Sequence, residues 1–502
     1  MHNVTKLKFY KIKDTRIAIL WYNKLDQKQK YTERSVIRMS NILYSKNELI
    51  SSIKKYFLSY FSDLSKPTQE NLILLILGMY SMESFNSVRS CYKHLLKKCS
   101  NKSINAYYET LSNTKLDPID FIRCTVEIAL SIIPKGLTNQ PVFLSTDDTI
   151  AHKHGTAFAN VKEIYDHASK EQNKMVNGHN FVSLMLSVPV QIQNSNNCCK
   201  IKYIPIPLGY EMKTENNNKL DLVITMVDSI SDLLSTKKVI FSFDTWYAKK
   251  RLIESILKHK NMDIICNARI DSVFYALPSG IKSGKKGRPA IHGKKYDIWS
   301  NTDFDFSKYS LGKYDIAHHV VIASLFGKRK VHAYVTKTET NSRRLYFSTI
   351  NTDYMIMNCS WQDNFLVRNM DRTNIEYSLL SLYRVRWNIE VSYYEQKTFW
   401  SLEKYMVRGS NSIKLLINLI NVAYSAMKIL PYYDSKFSEF INDTPQELRM
   451  FISEKISNQI FFSILGQKAK QLKNADAFLI CLNQLVDGIN YAAQILETGV
   501  IF

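Results

Sequence analysis

PVFLSTDDT, residues 141–149, is the stretch on which the fold turns: an apolar run rich in strand formers drives straight into two adjacent carboxylates. Everything upstream of it to about Arg34 has helical periodicity, with segments such as 69–82, 84–99 and 103–111 separated by short polar breaks. Everything just downstream alternates. NFVSLMLSVPV (180–190) and KIKYIPIPLGYEM (200–212) read as further strands, followed by a helix over 220–234, a strand VIFSFDTW (239–246), a helix over 248–259 and a strand MDIICNARI (262–270). Three successive strands and then alternating helices and strands predict an α/β architecture, a mixed sheet with helices packed on it.

Working outward, the predicted organisation is a helical region over 1–135, a first core portion over 136–273, a β-rich insertion over 274–338, a second core portion over 339–410 and a helical C-terminal region over 411–502. The insertion opens with the basic run KSGKKGRPAIHGKK (282–295) and contains YDIAHHVVIASLF and KVHAYVTKT, both with rough period-two alternation. A long helical stretch is expected from about Asn374 to Tyr405. In the N-terminal region, Arg89, Lys93, Lys97, Lys98 and Lys102 precede a short helix with paired tyrosines; this is either a helix-turn-helix reading DNA or a basic solvated helix face.

Lys plus Arg is 67 against Asp plus Glu 45, a formal charge of +22. Such an excess favours a polyanionic partner, because each neutralised phosphate releases counterions. The apolar stretch NLILLILGMY (71–80) is far shorter than the roughly 20 residues a spanning helix needs, and no signal-peptide core or lipidation signal stands out. The expectation is a protein of the cytoplasm, nucleoid-associated, with no membrane partner. The 8 cysteines form no C-x-x-C or zinc-finger ladder and are expected to be reduced structural thiols.

Two strands end in a carboxylate: VFLST runs into Asp147 and VIFSF into Asp244. An acid at the end of an apolar strand is costly if dry and useful at the sheet edge, where open sheets place their sites, although capping the next turn would also explain it. Asp147 and Asp148 are adjacent, so on a strand they point to opposite faces. In SLYRVRWNIEVSYYEQK (381–397), Tyr383, Arg386, Glu390 and Lys397 are spaced by three, four and seven residues. On an α-helix they fall within an arc of about 60°, with Leu382, Val385 and Ile389 on the opposite side. A carboxylate flanked by two cations and a phenol suits a metal ligand beside phosphates, while a solvated Arg–Glu pair at i, i+4 is the plainer reading. His152 and His154 in AHKHG are read as a DNA contact or surface residues, and Asp303 and Asp305 as solvated.

The spacing Tyr383-x2-Arg386-x3-Glu390-x6-Lys397 resembles the Tyr-Arg-Glu-Lys signature of a group of bacterial insertion-sequence DDE transposases, and TDDT (146–149) and FDTWY (243–247) are similar to that family's two aspartate motifs. The order Asp, Asp, β-insertion, Glu also matches, over about residues 70–425; the ends of the chain match nothing. The resemblance implies an RNase H-like core in which Asp147, which aligns with the first acid, Asp244 and Glu390 bind two Mg²⁺ ions, with Mn²⁺ as a substitute. It implies that Tyr383, Arg386 and Lys397 grip phosphates, and that Lys285, Lys286 and Arg288 belong to a DNA-binding loop opening the insertion. The implied activity is cut-and-paste transposition: cleavage at double-stranded terminal inverted repeats, then transfer of the 3′-hydroxyls to target DNA by a homodimer that pairs two ends. No nucleotide cofactor is expected, since GIKSGKKG (280–287) lacks P-loop spacing. Two other readings share these residues: a DNA-binding regulator derived from a transposase, and a metal-dependent endonuclease that cuts without joining.

Overall fold

β1 (Val142–His152) lies in the interior of the sheet, with a strand on either side, and it is apolar through Leu144 and then carries small polar residues that both neighbouring strands tolerate. The computed structural model describes residues 48–166, 174–193, 199–278, 290–358 and 374–471. Ahead of β1 come α1 (Glu48–Phe61), α2 (Lys66–Ser81), α3 (Val88–Cys91, continued by a π turn over Tyr92–Leu96 and a last turn Lys97–Cys99), α4 (Ile104–Asn113) and α5 (Pro118–Ser131). α5 starts with a capping box: Asp117 accepts the Ile119 N–H, Asp120 accepts the Asp117 N–H, and Pro118 takes the first helical position. α2 meets α3 at Gly78, where an added Cβ would collide with Cys91 Sγ.

β1 pairs antiparallel with β3 (Met175–Gln193) and parallel with β5 (Val239–Phe243). On its other side β3 carries β2 (Lys162–Tyr165) and then β4 (Cys199–Met212), end to end. α6 (Lys219–Ile230) connects β4 to β5, and α7 (Lys250–Ile256) connects β5 to its parallel neighbour β6 (Met262–Ala268). From β6 the same sheet continues. β7 (Phe274–Ala276), β8 (Ser310–Leu311), β9 (Tyr314–Ala323), β10 (Lys330–Lys337) and β11 (Arg343–Ser348) complete a mixed 11-stranded sheet of order β2-β3-β1-β5-β6-β11-β10-β9-β7, with β4 on β3 and β8 on β9. The strands expected in the insertion are thus joined to the core sheet through β11, which pairs with β6.

After α8 (Thr352–Asn358), the expected helical stretch begins with α9 (Ile375–Ser378) but is not one continuous α-helix. Leu379–Arg386 is a 3₁₀ helix, and the α-helix proper is α10 (Trp387–Phe399), ending six residues before Tyr405 with Ser401 at a φ of 60°. The reason is packing. In a 3₁₀ helix residues three apart are in line, so Leu379, Leu382 and Val385 make one apolar row. That row is buried against Phe143, Ile240 and Ile265 of the sheet.

α11 (Ser410–Tyr433), a 3₁₀ turn (Ser435–Phe440) and α12 (Pro445–Gln471) follow. α11 is long and apolar enough to cross a membrane by length and composition, but 89% of its most apolar window is buried inside the protein. Three of its polar residues bond to β4: Asn418 accepts the Tyr210 N–H and donates to the Tyr210 carbonyl, while Asn421 and Ser425 donate to the Pro207 carbonyl. These groups lie on the side of β4 away from β3, next to the register shift opposite Leu184 and Met185. Gly209 makes this close approach possible, since a Cβ there would meet Ile122 and Asn418.

Candidate functional site

On one face of the sheet two adjacent parallel strands repeat the same series: Phe143, Ser145, Asp147 on β1 and Ile240, Ser242, Asp244 along and just past β5. Phe143 lies opposite Ile240 and Ser145 opposite Ser242, whose hydroxyls are 2.8 Å apart, so the two aspartates stand level, each two residues further on. The apolar pair anchors the 3₁₀ row and the carboxylates emerge at the rim. Asp244 is fixed by the turn behind it, its Oδ1 accepting the N–H groups of Trp246 (3.0 Å) and Tyr247 (3.2 Å).

Burial and the nearby Asp244 raise the Asp147 carboxyl to about 7 against the opposing pull of Arg386. Arg386 Nη1 donates to Asp147 Oδ2 at 3.0 Å and its Nη2 donates to Glu390 Oε1, so one guanidinium bridges Asp147 and Glu390. Tyr383 donates its hydroxyl to the Phe243 carbonyl at 3.3 Å, directly before Asp244, and packs edge-on against Tyr346. Lys397 donates to the Ile150 carbonyl at 2.6 Å and pairs with Glu403 at 3.5 Å. The four spaced residues therefore do share one side, across the junction of a 3₁₀ and an α-helix. Three of them hold protein groups of β1 or β5.

The adjacent acid has different surroundings. Asp148 accepts from Tyr247 Oη (3.0 Å), Asn180 Nδ2 (2.8 Å) and Lys219 Nζ (2.7 Å) on the opposite face, whereas across from Asp147 Ser183 is bonded to Tyr393 of α10 at 2.6 Å. A carboxylate with three partners is satisfied. Asp147 retains the unbalanced position.

Lys285, Lys286 and Arg288 lie outside the described residues. His152 pairs with Asp166 at 3.0 Å and His154 is exposed. Asp303, expected to be solvated, has a side chain only 6% exposed and accepts from Lys294, while Asp305 caps Ser307 at the surface. Among the described residues, Cys91, Cys124 and Cys266 are free thiols. Sequence reasoning missed the Asn180–Lys219–Tyr247 set around Asp148, because scattered polar residues carry no periodic signal. The 3₁₀ row did carry one, in the Leu379-Leu382-Val385 triplet spacing.

Carboxylate oxygens short of positive charge suit a hard divalent cation, and Asp147 with Asp244 fits that description. Among the described residues no three Asp, Glu, His or Cys side chains converge into a ready cation cage, and Glu390 is tied to Arg386 instead.

Residues 59–308 match the profile of the family described as DDE superfamily endonuclease. No curated protein matches the chain. The matched stretch takes in Asp147 and Asp244 and stops before the 383–397 segment. A mixed sheet with helical regions at both ends is consistent with an RNase H-like DDE fold. Over residues 59–308, then, this chain is similar to the DDE superfamily endonucleases, a likeness that supports a transposase-like nuclease function.

Proposed function

We propose that this protein is a cut-and-paste DNA transposase in which Asp147, Asp244 and Glu390 form the catalytic set. The observation that carries the reading is the level placement of Asp147 and Asp244 on adjacent parallel strands, with Arg386 brought against Asp147 by the helix that follows and linking it to Glu390. The three acids would hold Mg²⁺ or Mn²⁺, which when bound supplies an activated hydroxyl nucleophile and neutralises charge on the phosphodiester. The protein's own part is alignment. Ser145 and Ser242 lock the strands in register, Tyr383 braces the backbone just before Asp244, and Lys397 braces the end of β1. Arg386 is already aimed at two anionic groups, and in the loaded site it exchanges a carboxylate for a DNA phosphate, which its fork can hold in two-pronged fashion.

The substrate is double-stranded DNA with terminal inverted repeats, the charge of +22 supplying attraction to the backbone. Joining two ends to one target calls for a homodimer, acting on the nucleoid in the cytoplasm. The test is a cleavage and strand-transfer assay with Mg²⁺ or Mn²⁺ on DNA bearing the element's own ends, comparing wild type with Glu390→Gln. Cutting and joining that disappear in the variant while DNA binding persists is the expected result. Cutting without joining reduces the protein to an endonuclease, and binding without cutting makes it a regulator.

A further inference from the structure

The face of the sheet opposite Arg386 carries a cluster of lysines that nothing in the catalytic set uses. Strand register places them. Gly178, Asn180 and Val182 of β3 alternate onto the same face as Asp148, which lies opposite Val182. Lys162 of β2 lies opposite Gly178, and Lys213 follows β4 at the position opposite Asn180, its N–H donated to the Asn180 carbonyl at 2.9 Å. Both side chains therefore emerge on that face. Lys219, the first residue of α6, reaches the same spot and donates to Asp148. Burial, Lys162 and Lys219 all depress the Lys213 ammonium while Asp148 opposes them, as expected where three cations crowd around one carboxylate.

Trp246 completes the group. Lys219 Nζ sits 4.7 Å above its ring, the side chain is 46% exposed, and its backbone N–H is bonded to Asp244. An exposed indole under an ammonium, beside a catalytic carboxylate, offers a nucleic-acid strand both a stacking plane and a counter-charge. The rim at Asp147 and Asp244 is thus flanked by cations on both faces: Arg386 and Lys397 on one, Lys162, Lys213 and Lys219 on the other.

We propose that Lys162, Lys213, Lys219 and Trp246 form a second DNA-backbone site, holding the strand where it leaves the acids on the face opposite Arg386. This inference rests on the nuclease reading and assigns the path of its substrate. The partner is a sugar-phosphate chain rather than a single free anion, because the lysines are spread over β2, the end of β4 and α6 while the indole adds a base- or sugar-sized plane.

The experiment is fluorescence anisotropy with a labelled duplex oligonucleotide of random sequence, titrated over a series of salt concentrations in EDTA, using the full chain. Wild type is compared with Lys162→Gln/Lys213→Gln/Lys219→Gln, with the double variant Lys162→Gln/Lys213→Gln, which keeps the Lys219–Asp148 pair, and with a control, Lys258→Gln/Lys260→Gln/Lys308→Gln. The expected result is that the triple variant lowers the slope of log K against log salt by about 2 to 3, the double by about 2, and the control by clearly less. Trp246→Phe should remove most of the tryptophan quenching seen when wild type binds the same duplex. An unchanged slope in the double variant, or an equal loss in the control, overturns the second site. Wild type that binds no duplex overturns both, whereas wild type that binds the element's ends with the expected slopes and never cuts them with Mg²⁺ or Mn²⁺ overturns the nuclease reading alone, so the two failures are distinct.

Discussion

Nη1 of Arg386 lies 3.0 Å from Oδ2 of Asp147, while its Nη2 is bonded to Glu390 one helical turn further on. The guanidinium is largely shielded from solvent, with 12% of its side chain exposed, and it partly offsets the charge of two carboxylates at once. Replacing it by Gln is expected to lower the stability of the metal-free protein by about 1–3 kcal/mol. Added Mg²⁺ should then raise the melting temperature of Arg386→Gln more than that of wild type. Thermal melts with and without Mg²⁺ measure both effects; equal metal responses would sink the idea that Arg386 is a stand-in counter-charge.

Asp147 gives the metal-free protein a specific pH dependence. Its carboxyl titrates at about 7 in the folded chain, against about 3.9 for an unperturbed aspartate. Between those values the native state holds more protons than the unfolded state, so this group's contribution falls as pH rises from about 4 to about 7. Asp147→Asn removes the titration. In EDTA the variant should gain stability relative to wild type at pH 8 and lose that advantage at pH 5, as read from urea unfolding; a constant difference would sink the assignment.

The neighbouring carboxylate should respond in the opposite way. Asp148→Ala strands Lys219, Asn180 and the Tyr247 hydroxyl, and is expected to cost about 3–5 kcal/mol, the scale of breaking a shielded charge pair. Asp147→Ala, by contrast, should abolish cleavage and leave the fold intact. Circular dichroism melts alongside the cleavage assay separate the two, and a well-folded, inactive Asp148→Ala with a fully active Asp147→Ala would reverse their roles.

At Gly78 the helices touch too closely for any side chain. Gly78→Ala should destabilise the protein by about 1–3 kcal/mol through overpacking against Cys91 Sγ. Adding Cys91→Ala removes the colliding sulfur and should restore much of the loss. A double variant no better than Gly78→Ala alone would show that the cost is not this contact.

Much of this arrangement was legible in the sequence because it is local. VFLST and VIFSF are strand-forming runs that lead into acids and both form strands; Asp244 directly follows the end of β5 as expected, whereas β1 continues past Asp147 to His152 because its second half still pairs with β3. Leu382, Val385 and Ile389 are buried as their spacing indicates. What was not legible is set by partners distant in sequence. The 3₁₀ conformation of Leu379–Arg386 follows from packing on Phe143, Ile240 and Ile265, which a helical-wheel reading does not contain. The partners of Arg386 and Lys397, Asp147 and the Ile150 carbonyl, lie 239 and 247 residues away. β2 escaped notice because four residues with burial alternating between half-buried and exposed carry little apolar signal.

The docking of α11 on β4 has a meaning for solubility. A strand with one unpaired side is a template on which another chain can add, and β4 is long and rich in Ile, Tyr and Pro. Asn418, Asn421 and Ser425 occupy the exposed hydrogen-bonding groups at Pro207 and Tyr210, much as a neighbouring strand would. The helix thereby caps that edge against intermolecular pairing. Three side chains of the most apolar helix thus do for this edge what a further strand would do, and leave it no free ladder for a second chain to extend.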